Sequence, residues 1–266
     1  MKIQGVSGER KERDVVDGTA GLSLGSQFAV LLRMQLAHFR SVWRRYIIVS
    51  SAMPLGITLL LRLRGPAPHS QAVQFVAGGV TLTVALSTLT FLAQRVAWMK
   101  SNKTFDYYNT LPLSTAVLLL AMLVSYFVFA IPGILAITVI GSLIFSLPLE
   151  PSIDILWAMA TLFLTGVALA GIGALIGLRA RNEQLAGAYA NIAMMAVLLL
   201  SIIPFSDLPG LAQPALHLIP STYLVDALKL TLPGVVRPWD LTVDVTATAC
   251  FAVVMTVGSA RTLRVR

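Results

Sequence analysis

Long apolar stretches, separated by short polar connections, fill most of the chain after residue 45. A membrane-spanning helix needs about 20 apolar residues, because roughly 30 Å of hydrocarbon is crossed at about 1.5 Å per residue. The pattern therefore predicts an all-α integral membrane protein with six transmembrane helices. The predicted spans cover about residues 46–61, 72–93, 114–140, 155–178, 184–205 and 241–260.

The third apolar stretch continues to residue 149 and has Pro132 and Gly133 near its middle, so it fits two short spans or one long kinked span. With one span here and both termini in the cytoplasm, 16 of the 20 Lys and Arg residues lie on the cytoplasmic side. Such a bias is what the positive-inside rule requires. Two spans would move Arg179, Arg181 and the C-terminal arginines outside, so we predict one.

Composition agrees with a membrane protein. Hydrophobic residues make up 56% of the chain and charged residues 12%, against roughly 25% charged in soluble domains. The single Cys excludes a disulfide framework and a cysteine-cluster metal site. The basic residues behind the net charge of +8 lie beside the predicted spans, where they orient the protein in the membrane and contact lipid headgroups. We therefore expect the lipid membrane, and not nucleic acid, as a partner.

Apart from Asp244 near one end of the sixth span, the predicted spans contain no Asp, Glu, Lys, Arg or His, so their hydrocarbon cores hold no ionisable side chain, which argues against a proton-coupled carrier. The chain also lacks the Gly-x-x-x-x-Gly-Lys-Ser/Thr phosphate loop. If the protein uses ATP, another chain hydrolyses it.

The N-terminal region divides into a tail and a helix. Residues 1–24 are polar and glycine-rich, with no apolar core of a signal peptide, so we expect a disordered cytoplasmic tail before a single domain at 25–266. Residues 27–45 predict an amphipathic helix with Arg33, Arg40 and Arg44 opposite an aromatic-rich apolar face. This pattern favours a helix in the membrane interface; the alternative is a cytoplasmic helix packed on protein.

The loop at 95–114, between the second and third spans, is the longest internal cytoplasmic connection. Ser101 or Asn102 is placed to cap a short helix ending near Tyr108. We expect its aromatic residues, Phe105, Tyr107 and Tyr108, to be exposed to the cytosol. Exposed aromatic residues are typical of partner docking sites, and the alternative is a helix resting at the lipid headgroups.

Polar residues recur on two spans. The second span carries them at spacings of four, three and four, on one face of an α-helix, and the fifth span carries a further set. Three interpretations are open for these residues: they line a substrate pathway, they lie at a subunit interface, or they only form hydrogen bonds within the helix bundle. The pathway candidates are Thr83, Ser87, Thr90, Gln94, Tyr189 and Asn191. On the fourth span, a stripe of small residues predicts close helix packing: Gly166, Ala170, Gly173 and Gly177.

The external segment at 206–240 holds two short apolar helical runs, at about 209–218 and 221–232. Neither is long enough to cross a bilayer. They predict a re-entrant or interfacial helical hairpin before the last span.

Two motifs within this layout resemble the permeases of ABC type-2 exporters. The run from Thr104 to Ser114 ends in Thr-Leu-Pro-Leu-Ser, similar to the family's segment after the second span, although Lys100-Ser-Asn-Lys103 replaces its usual Glu-Arg start. The run from Leu218 to Lys229 is similar to the family's Asn-Pro-x-x-Tyr-x-x-Asp-x-Leu-Arg, with Ile219 for the Asn and Lys229 for the Arg. The resemblance covers about residues 27–262.

The resemblance implies a cytoplasmic coupling helix that contacts an ATPase, formed by Asn102, Lys103, Thr104, Phe105, Asp106, Tyr107 and Tyr108. It implies that the interfacial helix also touches the ATPase, that the second and fifth spans face a dimer axis, and that the external hairpin is a gate containing Pro220, Tyr223 and Asp226.

The implied activity is export of a hydrophobic or amphipathic substrate, such as a drug, antibiotic or lipid, across a prokaryotic cell membrane. The implied partners are two ATPase subunits, which bind ATP and Mg²⁺, and a second permease copy or a paralogue. The chain itself would bind no cofactor. The alternatives are a membrane scaffold that transports nothing and an ATP-independent carrier.

Overall fold

The computed structural model describes residues 23–40, 43–65, 67–109, 115–147, 154–202, 220–231 and 238–264, and every regular element among these residues is a helix. The predicted all-α class is therefore confirmed for this part of the chain. The predicted tail up to residue 22 and the first hairpin helix, at about 209–218, lie outside the described residues. The helices are α1 (Leu24–Arg40), α2 (Trp43–Leu63), α3 (His69–Ser101), α4 (Thr104–Asn109), α5 (Thr115–Phe145), α6 (Asp154–Arg179), α7 (Glu183–Ile202), α8 (Pro220–Thr231) and α9 (Pro238–Arg264).

Among the described helices, α3, α5 and α6 are long and apolar enough to cross a bilayer, and α2, α7 and α9 carry shorter apolar segments. These last three have 21, 20 and 27 residues. At about 1.5 Å per residue, each of them reaches the roughly 30 Å of a hydrocarbon core. The 12-residue helix α8 is only about 18 Å long, which is too short to cross.

The central helix of the bundle is α3, which contacts α2, α5, α6 and α7. Its Leu82 and Leu89 are buried in a core cluster with Ile137 of α5 and Leu169 of α6. Most of its side chains are covered by the same chain, and the expectation that the second span faces a dimer axis stays a prediction.

The third apolar stretch forms one helix, α5, with Pro132 inside it, in agreement with the charge argument. The next residue, Gly133, allows α5 to approach two other helices. A Cβ atom on Gly133 would lie 2.7 Å from Cγ2 of Thr83 on α3 and 3.3 Å from the hydroxyl oxygens of Ser50 and Ser51 on α2. The small residue beside the proline thus permits close packing of three helices.

Two helix boundaries differ from the prediction. The amphipathic helix was expected to reach residue 45, but α1 ends at Arg40 and α2 begins at Trp43. Arg44 therefore belongs to α2 and does not share a helix with Arg33 and Arg40; apolar periodicity alone does not mark where one helix stops and the next begins. Similarly, α3 continues to Ser101 through part of the predicted loop, because residues 95–100 include no Gly or Pro to stop it.

The outer surface of the bundle is apolar. Large hydrophobic side chains are exposed on α5, α6, α7 and α9, including Leu143, Leu156, Ile192 and Val253. In water such a surface would be costly, whereas in a bilayer it contacts lipid chains or another membrane subunit. The burial pattern therefore agrees with a multi-pass membrane protein.

Candidate functional site

The end of α3 is closed by hydrogen bonds that set the direction of α4. The backbone N–H and the side-chain Nδ2 of Asn102 both donate to the Trp98 carbonyl, at 3.0 and 2.9 Å. Lys103 follows with a left-handed φ of 54°, and its N–H donates to the Lys100 carbonyl at 3.2 Å. This geometry ends many helices, usually with Gly or Asn at the left-handed position. The six-residue helix α4 then starts at Thr104.

The aromatic residues of α4 anchor it to the bundle. Phe105 and Tyr108, three residues apart, are half-buried against a cluster that includes Leu31 of α1, Met99 of α3 and Leu178 of α6. The expectation that these two rings are exposed to the cytosol is therefore wrong, because the short helix folds back onto apolar side chains from neighbouring helices. Thr104 is half-buried as well, whereas Asn102 and Lys103 are exposed. The side chains of Asp106 and Tyr107 lie outside the described part.

One face of α1 is also packed on protein. Leu31 is buried in the cluster that receives Phe105 and Tyr108, and α1 as a whole contacts α5. Arg33, on the opposite side of the helix, is exposed, and so is Met34. The packed arrangement and the interfacial arrangement are therefore compatible, since α1 has a protein-facing side and an open side. The side chains of Arg40 and Arg44 lie outside the described part.

A basic side chain joins α3 to the end of α6. The ammonium group of Lys100 donates to the carbonyl oxygens of Leu178 and Ala180, at 2.8 and 2.9 Å. Carbonyls in the last turn of a helix lack intrahelical partners, and the helix dipole attracts a cation there. In the sequence Lys100 stands out only as an orientation charge, because its partners lie 78 and 80 residues away.

Small residues let the two helices approach at this point. Ala97 of α3 packs with Ala180 and Ala186, on either side of the turn between α6 and α7. One turn earlier, a Cβ on Gly177 would lie 2.5 Å from the Ala93 carbonyl oxygen. The Lys100 ammonium therefore reaches the α6 carbonyls across a narrow interhelical gap.

The structure divides the polar stripe predicted on the second span. Thr83 lies beside Gly133 of α5, whereas the Thr90 hydroxyl contacts Sδ of Met194 on α7 at 3.7 Å and Gln94 lies beside Gly187 of α7. After Thr83, α3 is π-helical from Ala85 to Phe91, a segment that includes Thr90. A π turn takes about one residue more than an α turn, so it rotates the positions that follow.

The six pathway candidates are not brought together on one surface. Thr83, Ser87 and Thr90 are buried inside this chain, and Gln94 is half-buried, whereas Tyr189 and Asn191 are exposed on α7. The buried polar side chains among the described residues are hydroxyls and amides of Ser, Thr and Gln. The pathway role of all six stays a prediction.

The exposed face of α7 continues along most of the helix. Apart from polar side chains along one edge, this face is apolar. Its large exposed side chains are Leu185, Tyr189, Ile192, Met195 and Leu199. Residues at spacings of three and four share one face of an α-helix. This face therefore stays available for lipid or for another subunit.

The second predicted hairpin helix is present as α8, which begins at Pro220 and packs against α6, α9 and α3. Tyr223 is half-buried, with its ring centroid 6.4 Å from that of Phe251 on α9. Asp226 forms an ion pair with Lys229 at 3.1 Å. The helix is therefore embedded between other helices, and the gating role of these residues stays a prediction.

A second side chain of α3 caps a helix at the opposite end of the bundle. Nε2 of Gln74 donates to the carbonyl of Ser201, in the last turn of α7, at 2.7 Å. Among the described residues, no group of three or more His, Cys, Asp or Glu is positioned to hold a metal ion. The distinctive features of the described part are an anchored short helix and a central helix that is hydrogen-bonded to its neighbours near both ends.

Comparison with known proteins assigns the family. No curated protein sequence matches the chain. A family model described as "ABC-2 family transporter protein" matches residues 27–261, which cover α2 to α8 and most of α1 and α9. The resemblance inferred from the two motifs is confirmed, and the chain belongs to the ABC-2 family of membrane transporter proteins.

Proposed function

We propose that this chain is the permease subunit of an ATP-driven exporter that moves a hydrophobic or amphipathic substrate, such as a drug, antibiotic or lipid, out of a prokaryotic cell. The observation that carries the proposal is the family match over residues 27–261. The anchored helix α4 supports it, since a helix that receives force must be fixed to the helices it moves. ATP and Mg²⁺ bind to the partner ATPase, and this chain binds no cofactor.

The proposed topology has six spans, formed by α2, α3, α5, α6, α7 and α9, with both termini in the cytoplasm. It is supported by the coincidence of these helices with the predicted spans and by the positive-inside bias. Helix α4 then lies on the cytoplasmic side, where residues 102–108 act as the coupling helix. Helix α8 lies on the outer side as part of the gate.

The proposed assembly contains two permeases and two ATPase subunits. The exposed face of α7 is the surface we propose for the second permease copy or a paralogue, with Tyr189 and Asn191 facing the substrate pathway. Nucleotide-driven closure of the ATPases then shifts the equilibrium between inward-facing and outward-facing forms. It does so only if the contacts of α4 differ between the two forms.

The kind of substrate is inferred from the polar groups of the bundle. Hydroxyls and amides can bond an amphipathic molecule, whereas a proton relay or an ion pathway normally requires ionisable side chains at membrane depth. The described buried side chains are of the first kind. The absence of ionisable groups among them supports a hydrophobic or amphipathic substrate that is moved without proton coupling.

The decisive experiment is co-expression of the tagged chain with ATPase candidates from its genomic neighbourhood, followed by detergent purification and an ATPase assay. We expect a stable complex whose hydrolysis rate differs from that of the ATPase alone. A partner that binds without any nucleotide-dependent change would favour the scaffold alternative. Gradient-driven flux by the reconstituted chain alone would favour the ATP-independent carrier.

A further inference from the structure

We propose that Lys100 is a positioning residue that transmits movement of α4 to the turn between α6 and α7. The proposal rests on the proposed function, in which α4 contacts an ATPase. It assigns to Lys100 a role beyond that of an orientation charge. The structural basis is its pair of hydrogen bonds to the Leu178 and Ala180 carbonyls.

Lys100 is close to α4 in the chain and is linked to it by an ordered turn. Only three residues separate it from Thr104, the first residue of α4. The turn is held by the bonds from Asn102 to Trp98 and by the bond from the Lys103 N–H to Lys100 itself. A displacement of α4 is therefore carried to the Lys100 backbone without a flexible segment in between.

The turn that receives the Lys100 ammonium is compact. The N–H of Ala180 donates to the Ile176 carbonyl at 2.9 Å, which continues the bonding of α6. Oδ1 of Asn182 accepts from the Leu185 N–H at 2.9 Å, and this bond caps the start of α7. Because both sides of the turn are bonded, we expect the turn and the first turn of α7 to move together.

Leu178 contacts both Lys100, just before the turn into α4, and the aromatic residues of α4. Its carbonyl accepts from Lys100, and its side chain lies in the cluster against which Phe105 and Tyr108 pack. The end of α6 therefore meets the α4 segment through a charged contact and through an apolar one. The charged contact is directional and short, whereas apolar packing can slide, so the proposal assigns the transmission to Lys100.

A simple structural cap would make the same hydrogen bonds. The two roles predict different effects of removing Lys100 on how the complex responds to nucleotide. A cap stabilises α6 equally in every state, and its loss lowers stability without altering how the turn responds to ATP. A transmitting residue, when removed, leaves the response of α4 intact and abolishes the response of the turn.

The test is hydrogen–deuterium exchange on the purified permease–ATPase complex, with and without ATP, Mg²⁺ and vanadate. In the wild-type complex we expect nucleotide to change exchange in residues 104–109 and in residues 180–186. In the Lys100→Met complex we expect the change at 104–109 to persist and the change at 180–186 to fall within replicate scatter. Lys100→Arg, which keeps a cation with several N–H donors, is expected to restore it.

Two matched variants separate this role from general weakening. Arg64→Met removes a positive charge from an exposed side chain that lies outside the proposed ATPase contact. Gln74→Leu removes a buried cap from α3 to a helix end at the opposite side of the bundle. Both are expected to keep the response at 180–186. If Lys100→Met does not purify as a monodisperse complex, Lys100→Leu, which also lacks a donor, takes its place, with the same expected loss.

The outcomes distinguish this proposal from the proposed function. A wild-type chain that binds no ATPase, or whose α4 does not respond to nucleotide, contradicts the proposed function. A working complex in which Lys100→Met or Lys100→Leu responds at 180–186 as the wild type does overturns the role of Lys100. Loss of that response in Gln74→Leu as well would also overturn it, because the effect would then follow from weakened packing.

Discussion

Gly173 of α6 lies directly against the backbone of α3 at Leu89. A Cβ atom at Gly173 would come 2.5 Å from the Leu89 carbonyl oxygen and 3.0 Å from the Leu89 Cα. Four residues later, Gly177 meets the Ala93 carbonyl at the same distance of 2.5 Å. The equal step along both chains shows that α3 and α6 run parallel here with their backbones in contact, an arrangement that small residues permit in membrane proteins.

Replacing Gly173 with Ala is expected to destabilise the protein by about 1–3 kcal/mol, the usual cost of overpacking. The new methyl group would meet a backbone carbonyl, which cannot rotate away as a side chain can. The measurement is the melting temperature of the purified chain in detergent. Gly56→Ala is the control, because no atom beyond its chain neighbours and its own stretch of helix backbone lies within 4 Å of its Cβ position, and Ala gains about 1 kcal/mol over Gly in a helix. Equal melting temperatures for the two variants would contradict the backbone contact.

Truncating Phe105 and Tyr108 together to Ala is expected to weaken ATPase binding by releasing α4 from the bundle. Because both rings are half-buried in the apolar cluster, we also expect a loss of stability of about 1–3 kcal/mol in the permease alone. Copurification with the ATPase and thermal melting of the isolated permease measure the two effects. Ser101→Ala, at an exposed position beside α4, should change neither. Unchanged copurification by the double variant would show that α4 is not the ATPase contact.

Asp substitutions are expected to have different effects at the buried and at the exposed polar residues. Ser87→Asp is expected to abolish folding or expression, because a carboxylate at a buried position on α3 has a desolvation cost of several kcal/mol. Asn191→Asp, on the exposed face of α7, should express normally and alter nucleotide-dependent ATPase stimulation if it faces the pathway. Expression level and ATPase rate are measured together. Normal expression of Ser87→Asp would indicate that water reaches this position.

Lys103→Gly is expected to raise the melting temperature of the permease. The left-handed φ of Lys103 costs an L-residue about 1–2 kcal/mol, and Gly adopts it without that penalty. Lys103→Val should have the opposite effect, since a β-branched side chain tolerates this region least. A lower melting temperature for the Gly variant than for wild type would mean that the Lys103 side chain stabilises the turn by more than the backbone strain costs.

Sequence patterns determined the membrane character, the approximate spans and the family. The thickness of the hydrocarbon core requires apolar segments of about 20 residues, and such segments can be recognised from the sequence alone. The short helix after the second span and the close packing at Gly173 and Gly177 follow from a motif or a spacing of a few residues. The single long α5 follows from the distribution of Lys and Arg along the whole chain, which is also a property of the sequence alone.

Tertiary structure decided which faces of these helices meet. The π-helical segment from Ala85 to Phe91 turns Thr90 away from Thr83, so a stripe counted at α-helical spacing is divided between two neighbours. Phe105 and Tyr108 are half-buried because other helices supply an apolar cluster at that point. The Lys100 ammonium donates to carbonyl oxygens of residues that lie 78 and 80 positions further along the chain. Local periodicity cannot determine such contacts, because they depend on how separate helices are placed against one another.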